Sequence, residues 1–225
     1  MTTDNDTPVT APTASPAPRG FGTAAMAAAI AVGLILGYAI GGWLVPKITT
    51  PGDKSIEAGF ARDMTNHHAQ AVEMGLIVFR RSTDPEITQY GIDIATAQQG
   101  EMGMMGAWLH QWGLSNTSTD EPMSWLPAEM RQPADGIHDG LMPGMATADE
   151  INKLRTLTGR PLDVLFLQLM IRHHLGGAHM IEAVLSNSDV DQVTRAVGAM
   201  RDAQAQEVKH MTTSLTARGA KPLPA

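Results

Sequence analysis

Two stretches of this chain, 106 positions apart, carry the same chemistry at the same spacing. Shifted by that interval, Phe60 falls on Phe166, Met64 on Met170, His67 on His173, His68 on His174 and Met74 on Met180. Further on, Gln98 falls on Gln204, Glu101 on Glu207 and Met105 on Met211. Each copy therefore holds one segment with Phe-x3-Met-x2-His-His-x5-Met and one with Gln-x2-Glu-x3-Met, while the intervening residues do not match. The periodicity in both segments is helical, with almost no β-branched alternation. A repeat of this kind restricts the chain to folds built from a duplicated helical hairpin. The expectation is an all-α four-helix bundle with pseudo-twofold symmetry.

Punctuation residues set the element boundaries. Residues 53–81 read as one long helix. At Thr83-Asp84-Pro85-Glu86 the chain breaks and restarts, since Asp84 suits a cap and Pro85 a first helical turn. The second helix is predicted to run to Trp112 and stop at Gly113. Residues 114–146, rich in Pro, Gly, Ser, Asp and Met, read as a long loop. Thr147-Ala148-Asp149-Glu150 has the capping-box pattern and opens a short helix ended by Gly159. Pro161 is predicted to start the next helix, to Leu185, and Ser186-Asn187-Ser188-Asp189 to cap a last one ending near Thr216. The helical domain thus spans 55–217, with halves 55–113 and 161–217 joined by 114–160, and 218–225 forms a tail.

The N-terminal part differs in kind. Residues 1–20 hold Thr, Ala, Pro and Asp with almost no large apolar side chains, and read as a disordered tail. Residues 21–45 carry no charge, and a bilayer-crossing helix needs about 20 apolar residues. Tyr38 and Trp43 lie toward the far end, where interfacial aromatics are common. A transmembrane signal anchor over 21–46 followed by a linker over 47–54 is the expectation. Secretion after cleavage is the alternative, weakened by the long apolar stretch and the lack of a small-x-small site before Pro46. Gly33, Gly37 and Gly41 recur every four residues, a spacing that lets two membrane helices pair into a homodimer.

At about 100° per residue, Phe60, Met64, His67, His68, Ala71 and Met74 share one arc, as do Phe166, Met170, His173, His174, Gly177 and Met180. Ile94, Gln98, Glu101, Met105 and Trp108 share a face of the second helix, and Met200, Gln204, Glu207 and Met211 a face of the fourth. Four histidines, two glutamates and two glutamines thus lie on otherwise apolar inward faces, where polar groups are costly unless satisfied. Two readings satisfy them. In one, the His pairs donate to Glu101 and Glu207, Gln98 and Gln204 close the remaining bonds, and the methionines fill the core. In the other, the same residues hold a metal.

Composition narrows the metal. The 225 residues include 15 Met and 8 His but no Cys, which removes thiolate zinc sites, iron–sulfur clusters and disulfides. Neutral imidazole and thioether suit Cu(I), and thioethers discriminate against Mg, Ca and Mn. Met64, His67, His68, Met74, Met105, Met170, His173, His174, Met180 and Met211 are the candidate ligands, with Gln98, Glu101, Gln204 and Glu207 orienting the rings from behind. Met102, Met104 and His110, and Met123, Met130, His138, Met142 and Met145 in the loop, add soft donors nearby; His179 and His210 are read as surface residues. A di-metal carboxylate oxidase is the enzymatic alternative, but it uses Glu-x-x-His, and the residues three before His67 and His173 are Met64 and Met170. No nucleophile elbow or phosphate loop occurs, so Gly100, Gly103 and Gly106 inside a helix are expected to permit close packing. A net charge of -7 argues against nucleic acid.

Asp63-Met64-Thr65-Asn66-His67-His68-Ala69, Leu169-Met170-Ile171-Arg172-His173-His174, Gln98-x2-Glu101-x3-Met105-x2-Trp108 and Leu141-Met142-Pro143-Gly144-Met145 resemble the signature of the bacterial domain of unknown function 305 family, over about residues 55–215. That resemblance implies an exported or membrane-anchored protein with a ferritin-like four-helix bundle. It also implies kinship with CopM-type members, which bind Cu(I) or Ag(I) and support copper resistance. The chain departs from its own repeat where Gly176-Gly177 stands against Gln70-Ala71, and where His210 stands against Met104. The combined expectation is a cytoplasmic-membrane protein with an extracytoplasmic domain that buffers Cu(I) and passes it to another exported copper-handling protein.

Overall fold

A computed structural model describes residues 22–44, 50–130 and 140–224. The chain divides into two compact units, Met1–Thr49 and Thr50–Ala225. The expected disordered tail over 1–20 lies outside the described residues, as does His138.

The first unit contains helix α1, Thr23–Leu44, whose 22 residues carry no charge. Side chains in α1 are described only at 26–28 and 30–37, so Tyr38, Gly41 and Trp43 fall outside them. Among the described residues no helix is long and apolar enough to cross a membrane.

The second unit is helical, with no strand among the described residues. Its elements are α2 (Ile56–Arg81), α3 (Pro85–Gln111), α4 (Ala148–Thr156), α5 (Gly159–Asn187) and α6 (Asp191–Ala217), with a 3-10 turn at Ala128–Met130. The caps show why most of these helices begin where they do. Ser55 accepts from the Ala58 amide at the start of α2, and Asp84 from the Glu86 amide ahead of Pro85. Thr147 and Glu150 close the capping box of α4 reciprocally. At two starts the sequence expectation is corrected. α5 begins at Gly159, two residues before Pro161, with no side-chain cap. α6 is preceded by Val190, also without one. The Ser188 hydroxyl, expected to cap α6, instead donates to the buried Glu57 carboxylate at 2.6 Å.

α2 and α3 run antiparallel across a three-residue connection, and α5 and α6 repeat that hairpin. The hairpins meet through α2 and α5, which are also antiparallel. Ser188 bonds Glu57 at one end, Ser82 bonds Asp163 at the other (2.7 Å), and His67 lies against Gly177 between them.

The core is layered. One apolar cluster holds Phe60, Met64, Met105, Met180 and Met200; the other holds Phe166, Met170, Met211, Met74 and Ile94. These sets are images of one another under the 106-residue shift. On every long helix the residues of the first cluster are separated from those of the second by the His, Gln or Glu positions. The repeat thus builds two apolar end layers around one polar middle layer.

Close helix approach occurs at glycines other than those expected. A Cβ at Gly100, Gly103 or Gly106 would meet nothing within 4 Å, so these glycines permit no close packing. They lie along the side of α3 that no neighbouring helix covers. Gly75 and Gly91 make the contact instead, because a Cβ on either would stand 2.5 Å from the other's carbonyl oxygen. Gly75→Ala or Gly91→Ala is therefore expected to destabilise the fold by about 1–3 kcal/mol through overpacking against backbone. Gly103→Ala, at an open helical site, should raise stability by roughly 0.5–1 kcal/mol. Urea denaturation of the three variants measures both.

Candidate metal centre

The middle layer forms because α2 and α5 each turn two adjacent histidines inward. His67, His68, His173 and His174 are at most 2% exposed. The outer member of each pair meets a carboxylate from its own hairpin. His68 Nε2 lies 2.7 Å from Glu101 Oε2, and His174 Nε2 lies 2.6 Å from Glu207 Oε2. Both glutamates are partly exposed, which keeps one face of each carboxylate hydrated. The inner members meet each other across the hairpins, with ring centroids 3.8 Å apart at an interplanar angle of 36°. Gln98 and Gln204 are buried beside this layer.

The bonds made by each ring decide what its second nitrogen can do. A neutral imidazole whose Nε2–H donates to a carboxylate keeps a bare lone pair on Nδ1. His68 Nδ1 and His174 Nδ1 are buried with no partner. His173 Nε2 is likewise buried and unpartnered. Gln98 Oε1 is a further acceptor without a donor. An unmet buried polar group costs about 1–3 kcal/mol, so an apolar-lined layer with three unmet imidazole nitrogens is expensive to maintain as a purely structural network. Three borderline lone pairs, two of them on rings oriented by a carboxylate at the other nitrogen, suit a metal's donor needs.

His67 is different. Its Nε2 lies 3.1 Å from the Pro143 carbonyl oxygen, so in the neutral ring that nitrogen donates. Burial pushes the His67 imidazole down to about 3, with the neighbouring His68 adding to the effect. His173 is pushed well down by burial first and then by the histidines around it.

Of the remaining sequence-predicted donors, Met64, Met105 and Met180 lie buried in one end layer and Met74, Met170 and Met211 in the other. Among the described residues no group of three or more His, Cys, Asp or Glu side chains is placed to hold one ion, so any site here must recruit thioethers. Met123 and Met142 are buried, Met102, Met104, Met130 and Met145 half-buried, and His110 and His210 exposed. His179 is half-buried, with Nε2 bonded to the Met130 carbonyl at 2.9 Å.

Residues 141–146 reach the tilted His67–His173 pair at His67, and their fastening explains the broken repeat. Gln70 clamps Ala146 from both sides: its amide nitrogen donates to the carbonyl at 2.8 Å and its oxygen accepts the backbone N–H at 2.6 Å. At the equivalent position Gly176 leaves the Pro143 carbonyl room that a Cβ would fill. Gly144, at φ 78, lies so close to α5 that a Cβ there would stand 2.5 Å from the Arg172 carbonyl oxygen. Gly177, opposite Ala71, makes room for the His67 ring.

Sequence reasoning missed one more anchor. Asp63 accepts from the Met123 amide at 2.6 Å and from Trp125 Nε1 at 2.7 Å, and its carboxyl is pushed up by burial. Gly59 lets Trp125 lie flat on α2. The signal was present in Asp63, four residues before His67, but its partners are some 60 residues away in a loop of irregular composition.

The family described as Domain of unknown function (DUF305) matches residues 57–215. A DUF305 protein from Streptomyces coelicolor, described as secreted, is 40% identical with a TM-score of 0.69, over 77% of this chain and 100% of that one. A DUF305 fragment from Deinococcus radiodurans is 28% identical with a TM-score of 0.59, over 72% and 96%. CopM in its Cu(I)-bound form is 19% identical with a TM-score of 0.55, over 72% and 96%, a likeness of fold alone. The chain has no match among the curated proteins.

The buried histidines make stability depend on pH in a defined direction. An unfolded histidine takes a proton near 6.5, whereas folded His67 resists until about 3. Between those values the unfolded chain binds more protons, so stability is complete above pH 6.5 and falls as pH drops toward 3. Each such histidine contributes a slope of about 1.4 kcal/mol per pH unit. Chemical denaturation from pH 7 to pH 4 is expected to show this loss, and His67→Gln with His173→Gln to flatten it.

Proposed function

Because the chain belongs to the DUF305 family, we propose that its helical domain is a ferritin-like four-helix bundle that binds and buffers Cu(I) outside the cytoplasm. The observation that carries this reading is the set of three buried imidazole nitrogens, His68 Nδ1, His174 Nδ1 and His173 Nε2, that no protein group satisfies. Cu(I) accepts neutral nitrogen and thioether donors without displacing a proton from the thioether. No more than two of these rings would supply nitrogen to any one ion, and the methionines of the flanking layers, Met64 and Met170 foremost, would supply sulfur. Glu101 and Glu207 hold the His68 and His174 rings in the tautomer that leaves Nδ1 bare, and their charge offsets that of a monovalent cation. His67, bonded to Pro143, supports the layer and packs against His173. CopM, a structural neighbour, has been solved with Cu(I) and with Cu(II), which agrees with this choice of metal.

In the same proposal residues 21–46 are an uncleaved signal anchor. The support lies in the sequence, where residues 21–45 carry no charge and a bilayer crossing needs about 20 apolar residues. The Streptomyces relative's description as secreted agrees with an extracytoplasmic domain. Open space beside Gly33 and Gly37 leaves α1 able to pair with a second copy. The bound ion would pass to another exported copper-handling protein.

The test is an anaerobic Cu(I) titration of the full-length chain against a chromogenic chelator, with Zn(II) and Mn(II) in parallel. The wild type is expected to compete for Cu(I). His68→Ala with His174→Ala should abolish competition while retaining helicity, and Glu101→Gln with Glu207→Gln should weaken it about 10–100-fold. Failure to compete with any metal would return the middle layer to a purely structural role. Carbonate extraction of membranes tests the anchor: an uncleaved chain stays in the pellet.

A further inference from the structure

The four histidines are enclosed, so whatever reaches them must pass a barrier. On the helical sides that barrier is close-packed, with Ala71, Met64, Met170 and Phe166 fully buried around the layer. Passage there would part a helix–helix contact. The strap of residues 141–146 is a different kind of cover. Among the described residues it is the one non-helical segment that hydrogen-bonds a core histidine, through Pro143 and His67. It is fastened by side chains, with Gln70 on Ala146 twice and Arg172 on the Met145 carbonyl at 3.4 Å. None of these bonds belongs to a helix ladder, so lifting the strap breaks no ladder bond of α2 or α5 and withdraws only Met142 and Ala146 from the apolar layers.

We propose that residues 141–146 are the gate through which a soft cation reaches the buried imidazoles, with Gln70 as its latch and Gly176 as its seat. Lifting the strap frees His67 Nε2 and opens the way to His173, whose ring lies 3.8 Å from that of His67 between centroids. The strap carries two thioethers of its own, Met142 buried beneath it and Met145 half-exposed, on either side of Pro143-Gly144. An arriving ion therefore meets a soft donor on the gate before it meets the core. The identity of the ion rests on the copper reading above; the motion of the strap does not, and the experiment reads the two apart.

Two variants unfasten the strap from outside the ligand set. Gln70→Ala removes the latch. Gly176→Ala sets a methyl against the Pro143 carbonyl and lifts the strap from its seat. In the full-length chain two rates are followed: Cu(I) transfer from a chelator by stopped flow, and acylation of His67 and His173 by diethylpyrocarbonate with peptide mapping. Both variants are expected to take up Cu(I) and to react with the acylating reagent about tenfold faster than the wild type, as expected when a gating step is relieved. Equilibrium Cu(I) affinity should change less than about threefold, since no ligand is lost. Variants with native helicity that load and acylate at the wild-type rate would overturn the gate. A wild type that binds no metal would overturn the copper reading instead, and acylation alone would then decide the gate. If Gly176→Ala fails to fold, Gln70→Ala carries the comparison.

Discussion

Everything in the helical unit is arranged around the hydrogen bonds that Glu101 and Glu207 make to the outer histidines. Each bond takes one nitrogen of a buried ring and leaves the other bare. A hydrogen-bond network meant only to stabilise would close on itself, and this one does not. Unmet acceptors at about 1–3 kcal/mol each are a sizeable share of the 5–15 kcal/mol by which a domain is usually stable. The flanking apolar layers, with Phe60 and Phe166 fully buried, supply the burial that offsets that cost. The middle layer is thus the part of the core with unused chemical capacity.

The layers and the hairpins were legible in the sequence because both follow from periodicity. The shift that superimposes His68 on His174 also superimposes Glu101 on Glu207, and the observed bonds obey it almost to the tenth of an ångström. Caps made by residues adjacent in sequence, such as Thr147 with Glu150, were legible for the same reason. What was not legible depends on partners distant in sequence. Gly75 and Gly91 look no different in the sequence from Gly100 or Gly103, and only the facing helix distinguishes them. Ser188 has the residue type of a cap but is drawn to Glu57, more than a hundred residues away.

The distinction between the two inner histidines was also hidden. His67 and His173 are equivalent in the repeat and their rings meet at a tilt, yet one is bonded to a loop carbonyl and the other has a vacant Nε2. The cause is an irregular segment whose residues carry no periodic signal. Its grip shows in the sequence only as a mismatch between Gln70-Ala71 and Gly176-Gly177.

That mismatch has a consequence for the history of the duplication. A single strand of backbone laid across a twofold axis can point only one way, so it cannot treat both sides alike. The side it leans on must yield space, and the side it leans away from must reach out to hold it. Once Gly176 and Gln70 had taken those opposite parts, the two hairpins ceased to be interchangeable copies. A protein assembled from two first halves would own two arms and no room, and one from two second halves the reverse. Two identical hairpins could pair symmetrically; with Gln70 and Gly176 specialised, the bundle needs one hairpin of each kind, and a single polypeptide guarantees that pairing.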